Sequence, residues 1–306
     1  MRKIIKRTIA LASVLILLEI FRNRIVQYRK VELPAKESWD APEGYRLSVL
    51  HVSDIHLTAK NLRLLEPLEK LGDRLWDFVL VTGDLIDDDS GIEPVCEVIG
   101  RLKARYGKFS VLGNHDYLCY QGRNPVEWFK VVTHPVFGFD CNRFCRANDV
   151  KRLAEKLADS GIRLLCNEVA EGKLENGTPW QIFGIDDPAS DRDRPQILYP
   201  CVADSALRIV LTHSPVRLES LRPFDAEIVL CGHTHGGQIR LPLFGSLTTH
   251  SDADRKMSAG LVDLGGCRVY ISRGMGEGRA LPIRFLSPPE LTEIVIIKPD
   301  NKCLSP

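Results

Sequence analysis

Residues 227–238 read EIVLCGHTHGGQ: an apolar, β-branched run that passes directly into two histidines one residue apart, bounded by glycines. A strand that only has to turn needs no imidazole. In extended chain, residues two apart point to the same side, so His233 and His235 can reach one site. Gly232, Gly236 and Gly237 let the backbone bend closely around it.

Four other stretches end in the same manner. RLSVLHVSDIHL closes on Asp54 and His56, DFVLVTGDL on Gly83 and Asp84, KFSVLGNHDY on Asn114, His115 and Asp116, and LRIVLTHSP on His213. Short continuous apolar runs suit strands covered on both faces. Helical segments fit between several of them, such as Asn61 to Arg74 and Ile92 to Tyr106. The pattern is that of an α/β protein, with ligand-type residues at the carboxyl ends of strands, where such sheets build their sites.

Taken singly, each cluster is ordinary. A Gly-Asp pair after a strand usually makes a turn, and a lone histidine there is more often a core residue than a ligand. Five such clusters at strand ends require a common cause. Asp54, His56, Asp84, Asn114, His213, His233 and His235 offer hard oxygen and imidazole donors without a thiolate. That set suits manganese, iron or zinc, and it rules against a Cys-type structural zinc or a calcium site. Seven groups are too many for one tetrahedral ion and enough for two ions sharing a carboxylate. A pair of ions can acidify a water between them and hold both oxygens of a phosphoryl displacement.

Composition narrows the partners. The chain has 306 residues and a net charge of +1, but residues 1–30 carry eight bases against Glu19 alone. Removing these from the totals of 41 and 40 leaves 33 bases and 39 acids, a net of −6 for the body. An acidic body argues against nucleic acid, which needs a surplus of positive charge. Nine scattered cysteines form no CxxC pair, and an odd count points to a reducing compartment. The stretch from Thr8 to Phe21 is apolar all round, flanked by Arg7 and Arg22. It reads as a membrane element, spanning or lying at the interface, although about 20 residues are needed for a full helical crossing. Basic residues flank it four and four, so charge does not choose a side. The cysteines tip the body to the cytoplasmic side, so the expected place is a membrane attachment through the N-terminus with the catalytic domain facing the cytoplasm. The expected organisation is an anchor over 1–30, a linker over 31–44 (VELPAKESWDAPEG) and one domain over 45–300.

In this order, DIH, GD, GNHD, TH and GHTH resemble the calcineurin-like metallophosphoesterases, over about Tyr45 to Lys298. The resemblance implies a four-layer α-β-β-α sandwich with a two-metal site, Mn²⁺ foremost and Fe or Zn as alternatives. It implies that Asp54, His56 and His235 bind the first metal, that Asn114, His213 and His233 bind the second, and that Asp84 bridges both. His115 would protonate the leaving group or stabilise the phosphoryl oxygens, with Asp116 orienting it. The run GGCRVYISRGMGEGRALPIRF is similar to the membrane-tethered branch that includes UDP-2,3-diacylglucosamine pyrophosphatases. That implies hydrolysis of a nucleotide-activated lipid at a membrane surface, in lipid A biosynthesis. The alternatives are a general phosphodiesterase and a non-catalytic scaffold. Arg273, Arg279 and Arg284 are candidates to meet a phosphate. Residues 117–150 hold seven of the chain's aromatic residues and read either as a lid over the site or as an insertion with its own small core.

Overall fold

Twelve strands pair into two six-stranded sheets in the computed structural model. It describes residues 19, 25–37, 39–120, 145–241, 245–246, 258–277 and 284–299. In chain order these are β1 (Gln27–Pro34), β2 (Arg46–Val52), β3 (Leu75–Thr82), β4 (Lys103–Val111), β5 (Ile162–Leu164) and β6 (Glu168–Lys173). They continue with β7 (Pro179–Gly184), β8 (Leu207–Leu211), β9 (Ile228–Cys231), β10 (Gly260–Asp263), β11 (Arg268–Ile271) and β12 (Glu290–Ile297). The first sheet has the order β1-β12-β2-β3-β4-β5, and β2 to β5 are parallel. The second has the order β10-β11-β9-β8-β7-β6, with β11, β9, β8 and β7 parallel. Both are mixed sheets, because β12 runs antiparallel to β2 and β6 antiparallel to β7.

Alternation along each strand decides what each face covers. Leu47 and Val49, Phe78 and Leu80, Ile209 and Leu211, and Leu230 point inward and join one apolar layer between the sheets. Val52, Val79 and Val81 point outward and pack beneath α1 (Ile92–Arg101) and α2 (Val150–Asp159). Each such side chain, fully buried, contributes on the order of 1.5–3 kcal/mol. A bulge between Trp76 and Phe78 turns these two large rings to opposite faces of β3, one into each layer.

Among the described residues the fourth layer is built of 3₁₀ turns rather than α-helix. Phe183, Val210 and Val229 are covered by two 3₁₀ segments, Pro195–Cys201 and Leu218–Phe224. Pro200 and Pro223 lie inside them, and each removes an N–H and fixes φ, which suits short tight turns rather than a regular helix. Two expected helices are shorter than read. Asn61 to Arg74 holds only single turns at Leu62–Leu65 and Glu66–Glu69, and α1 stops at Arg101 because Leu102 is extended and β4 starts at once.

The linker reading of 31–44 is corrected. Val31–Pro34 complete β1, which lies parallel to β12 over eight residue pairs, and Trp39 is fully buried. The membrane element at 8–21 lies outside the described residues, Glu19 apart, and so does 121–144 of the expected lid. No helix among the described residues is long and apolar enough to cross a membrane.

Candidate metal centre

Parallel strands of one sheet end together, and here the carboxyl ends of both sheets' parallel strands meet at one edge of the sandwich. Past Val52, Thr82 and Val111 the first sheet delivers Asp54 and His56, Asp84, and Asn114 with His115. Past Leu211 and Cys231 the second delivers His213, then His233 and His235. The turns are sharp. Asp54, His56, Asp84 and His235 have φ near 50° and His233 has φ 68°, in the left-handed region that non-glycine residues seldom occupy. Backbone bonds hold them there: Asp54 N–H donates to Gly83 O and His56 N–H to Asp84 O, each at 3.0 Å. Close approach explains two glycines. A Cβ on Gly113 would lie 2.3 Å from Asp84 Oδ1, and one on Gly232 would lie 2.1 Å from Asp54 Oδ2.

The donor atoms gather in overlapping groups, Asp54–His56–His235, His56–Asp84–His115 and Asp84–His213–His233, each with its atoms within 4.8 Å of one another. Asp84 Oδ2 stands 3.5 Å from His56 Nε2 and 3.2 Å from His213 Nε2, the position of a shared ligand. Asn114 precedes His115, whose N–H donates to Asp84 Oδ1 at 2.8 Å. Two observations fit this cluster to divalent cations. Ring nitrogens face each other at 3.1 Å (His56 Nε2 and His235 Nε2) and 3.2 Å (His233 Nδ1 and His213 Nε2), an arrangement that wants a cation or proton near both lone pairs. Asn114 Oδ1 is buried without a hydrogen-bond partner among the described residues, as a ligand oxygen would be. Asp54, His56 and His213 are fully buried, whereas Asn114, His115 and His233 are partly exposed and form the open side.

Neighbouring groups set the tautomers. Asp87 Oδ1 lies 2.8 Å from His56 Nδ1 and 3.0 Å from His115 Nδ1, so both rings carry Nδ1–H and present Nε2 to the site. Burial works to raise the Asp87 carboxyl, yet the facing His56 and His115 hold it well below its usual range. Burial alone would lower His56, but the charge of Asp87 and then of Asp84 lifts it to about 9. His213 donates Nδ1–H to Thr82 O at 2.7 Å; against its burial, the Asp84 carboxylate raises it well above its ordinary value. From the core side, His51 Nε2 meets Thr82 Oγ1 at 2.8 Å, Thr82 donates to Ser53 Oγ, and Ser53 donates to Asp54 Oδ2. His51 is thus a buried core residue, kept neutral by burial that lowers it to about 3, and through Thr82 and Ser53 it anchors Asp54.

Asp116 sits elsewhere than expected. Its carboxylate accepts from the N–H groups of Leu85, Ile86 and Gly113 and pins the GNHD turn to the GDL turn; burial, then Asp84, raises it to about 7. The ring of His115 is oriented instead by Asp87, which sequence reasoning missed. Three consecutive aspartates, 87 to 89, offered nothing to single it out. Tyr120, at the base of the 117–150 segment, packs its ring 4.7 Å from that of His115. This base is a two-stranded ribbon, Leu118–Tyr120 with Cys145–Ala147.

Of the three arginines, Arg279 lies outside the described residues. Arg273 is paired with Glu290. Arg284 is buried, and its guanidinium donates to the carbonyls of His235, Arg273, Gly276 and Ser287, tying the GHTHGG turn to the loop after β11.

Comparison with known proteins agrees with this geometry. The profile of the calcineurin-like phosphoesterases matches residues 47–237. The chain is 29% identical over 255 residues to an uncharacterized metallophosphoesterase, YkoQ, of Bacillus subtilis, covering 82% of this chain and 84% of that one. It is 26% identical over 283 residues to the phosphodiesterase YaeI of Escherichia coli, covering 91% and 88%. It is 25% identical over 288 residues to the UDP-2,3-diacylglucosamine pyrophosphatase LpxG of Chlamydia trachomatis, covering 83% and 86%. The profile ends just past the second histidine of GHTH and spans every expected donor, so the chain belongs to the calcineurin-like phosphoesterase family and is a metal-dependent phosphoester hydrolase.

Proposed function

We propose that the protein hydrolyses the pyrophosphate bond of UDP-2,3-diacylglucosamine, releasing UMP and 2,3-diacylglucosamine 1-phosphate. It does so as a membrane-tethered enzyme with two Mn²⁺ ions, facing the cytoplasm from an inner membrane. The observation that carries the substrate is the match, along most of both chains, to pyrophosphatases of that name from two Chlamydia species, at 25% and 24% identity. The apolar run from Thr8 to Phe21 supports a lipid-linked substrate, and the free thiols of Cys96, Cys166, Cys201, Cys231 and Cys267 support the reducing side.

Asp54, His56 and His235 would hold one ion, Asn114, His213 and His233 the other, and Asp84 both. When bound, the pair supplies Lewis acidity for water and positive charge for the phosphoryl oxygens. The rest falls to the chain. His115 keeps Nδ1–H on Asp87 and presents Nε2 on the open side, where its protonated form gives the leaving oxygen a proton. Asp116 and Arg284 keep the turns in register. Tyr120 screens one flank of His115 from water.

A second reading, a phosphodiesterase of broader range, is favoured by the 26% identity to YaeI over 91% of this chain. Turnover in mild detergent with Mn²⁺ separates the two. UMP release from UDP-2,3-diacylglucosamine that outpaces cleavage of a plain aryl phosphodiester supports the lipid substrate; cleavage of the aryl ester alone removes it.

A further inference from the structure

Strand direction puts the start of β1 at the metal-centre end of the molecule. β1 is parallel to β12 and β12 antiparallel to β2, so Gln27 and Glu290 lie where β2 stops. Contacts agree. Gln27 N–H donates to Pro289 O, Glu290 N–H donates to Gly274 O, and a Cβ on Gly274 would lie 2.4 Å from Asp54 Cβ. Ile25 and Val26, which precede Gln27, therefore lie at the metal-centre end.

Beside them is a groove of about 1140 Å³ between residues 25–28 and the turns at 60–74. Val26, Leu64, Leu71 and Leu291 line it, and Ile25 on its edge is 58% exposed. Leu62, in the same turn, is 46% exposed. Lys60, Arg63 and Lys70 stand in its wall, exposed and without an ion pair to any described residue, against one lining acid, Glu66. The near edge of the groove touches the metal centre's backbone, since Asn61 Nδ2 donates to His56 O at 3.0 Å.

Exposed apolar side chains ringed by unpaired bases are the chemistry of an interfacial surface: the apolar groups enter the acyl boundary and the cations meet phosphates. The segment that feeds into this place has the same character. Residues 1–24 carry six bases around the apolar run. We propose that this end of the first sheet is a docking face for an anionic phospholipid bilayer, with headgroup phosphates at Lys60, Arg63 and Lys70. The metal centre would then open beside the lipid surface. Its use for a lipid-linked substrate rests on the function proposed above; the docking itself does not.

The test is flotation of the full chain with phosphatidylcholine vesicles, plain or doped with phosphatidylglycerol, at low salt. Lys60→Glu, Arg63→Glu and Lys70→Glu together should lower partition onto the doped vesicles at least about tenfold. Binding to plain vesicles, the share of the N-terminal segment, should be unchanged, as should turnover of a soluble aryl phosphodiester. Where the triple reversal does not fold, the three glutamine substitutions take its place, with a loss of about threefold or more. Undiminished partition of the folded variant overturns the proposal, as it would if the groove were covered by the protein's own N-terminus or by a second copy. Absence of turnover in the unaltered protein would count against the proposed function and leave the vesicle result standing.

Discussion

Asp54, His56, Asp84, His233 and His235 are held at φ between 50° and 68°, a region that costs a non-glycine residue on the order of 1–3 kcal/mol. The return is direction: a left-handed residue at a strand end swings the next side chain back over the sheet edge. Extended residues two apart share a side, the expectation for His233 and His235 from sequence. Both side chains do lie in the donor cluster, but not as extended chain, since His235 opens a 3₁₀ turn and both histidines are left-handed. Positive φ at aspartate and histidine leaves no trace in residue type, and so was not legible. The donor types themselves were. On the proposed assignment, His115 transfers a proton and Asp84 holds metal, so the two roles can be separated. His115→Ala should keep its metal, by elemental analysis, and lose about 10²- to 10⁴-fold in turnover. Asp84→Ala should lose both, and a fully active Asp84→Ala enzyme would refute the shared-ligand assignment.

Among elements, the turns carry more of the site than the strands do. Strands with apolar β-branched runs were readable because burial on both faces leaves a local pattern. β1 was not, because QYRKVELP buries only Leu33 and is charged along its exposed face, as an edge strand tends to be. Its partner, β12, lies more than 250 residues away, and no local period reports such pairing. The 3₁₀ layer was hidden in the same way. The turn after β9 is the most demanding. A Cβ on Gly232 would meet Ser53 Oγ at 2.0 Å and Asp54 Oδ2 at 2.1 Å. Gly232→Ala should therefore displace Asp54 and leave about one ion per chain rather than two. Titration calorimetry with Mn²⁺ reads this directly, and two intact sites would show that the turn can yield.

For the molecule as a whole, the histidine cluster links stability to pH and metal. In the metal-free protein His56 titrates at about 9 against an ordinary 6.5. A folded-state pKa raised in this way contributes stability fully below about 6.5, and the contribution is lost as pH rises through about 9. His213 shifts in the same direction. Metal needs these nitrogens unprotonated and must displace the protons. The rise in Tm given by Mn²⁺ over a chelator should accordingly grow from about pH 6.5 to 9. A rise that is flat or shrinks over that window would mean that these imidazoles are not ligands.

Each proposed ion takes donors from both sheets: Asp54 and His56 with His235 on one side, Asp84 and Asn114 with His213 and His233 on the other. The sandwich is then like a book whose pages are held by an apolar spine along the interior and by a clasp at one edge. Opening the clasp leaves the spine in place, so on this assignment loss of metal should silence the enzyme before the fold gives way, and metal added back should close it again.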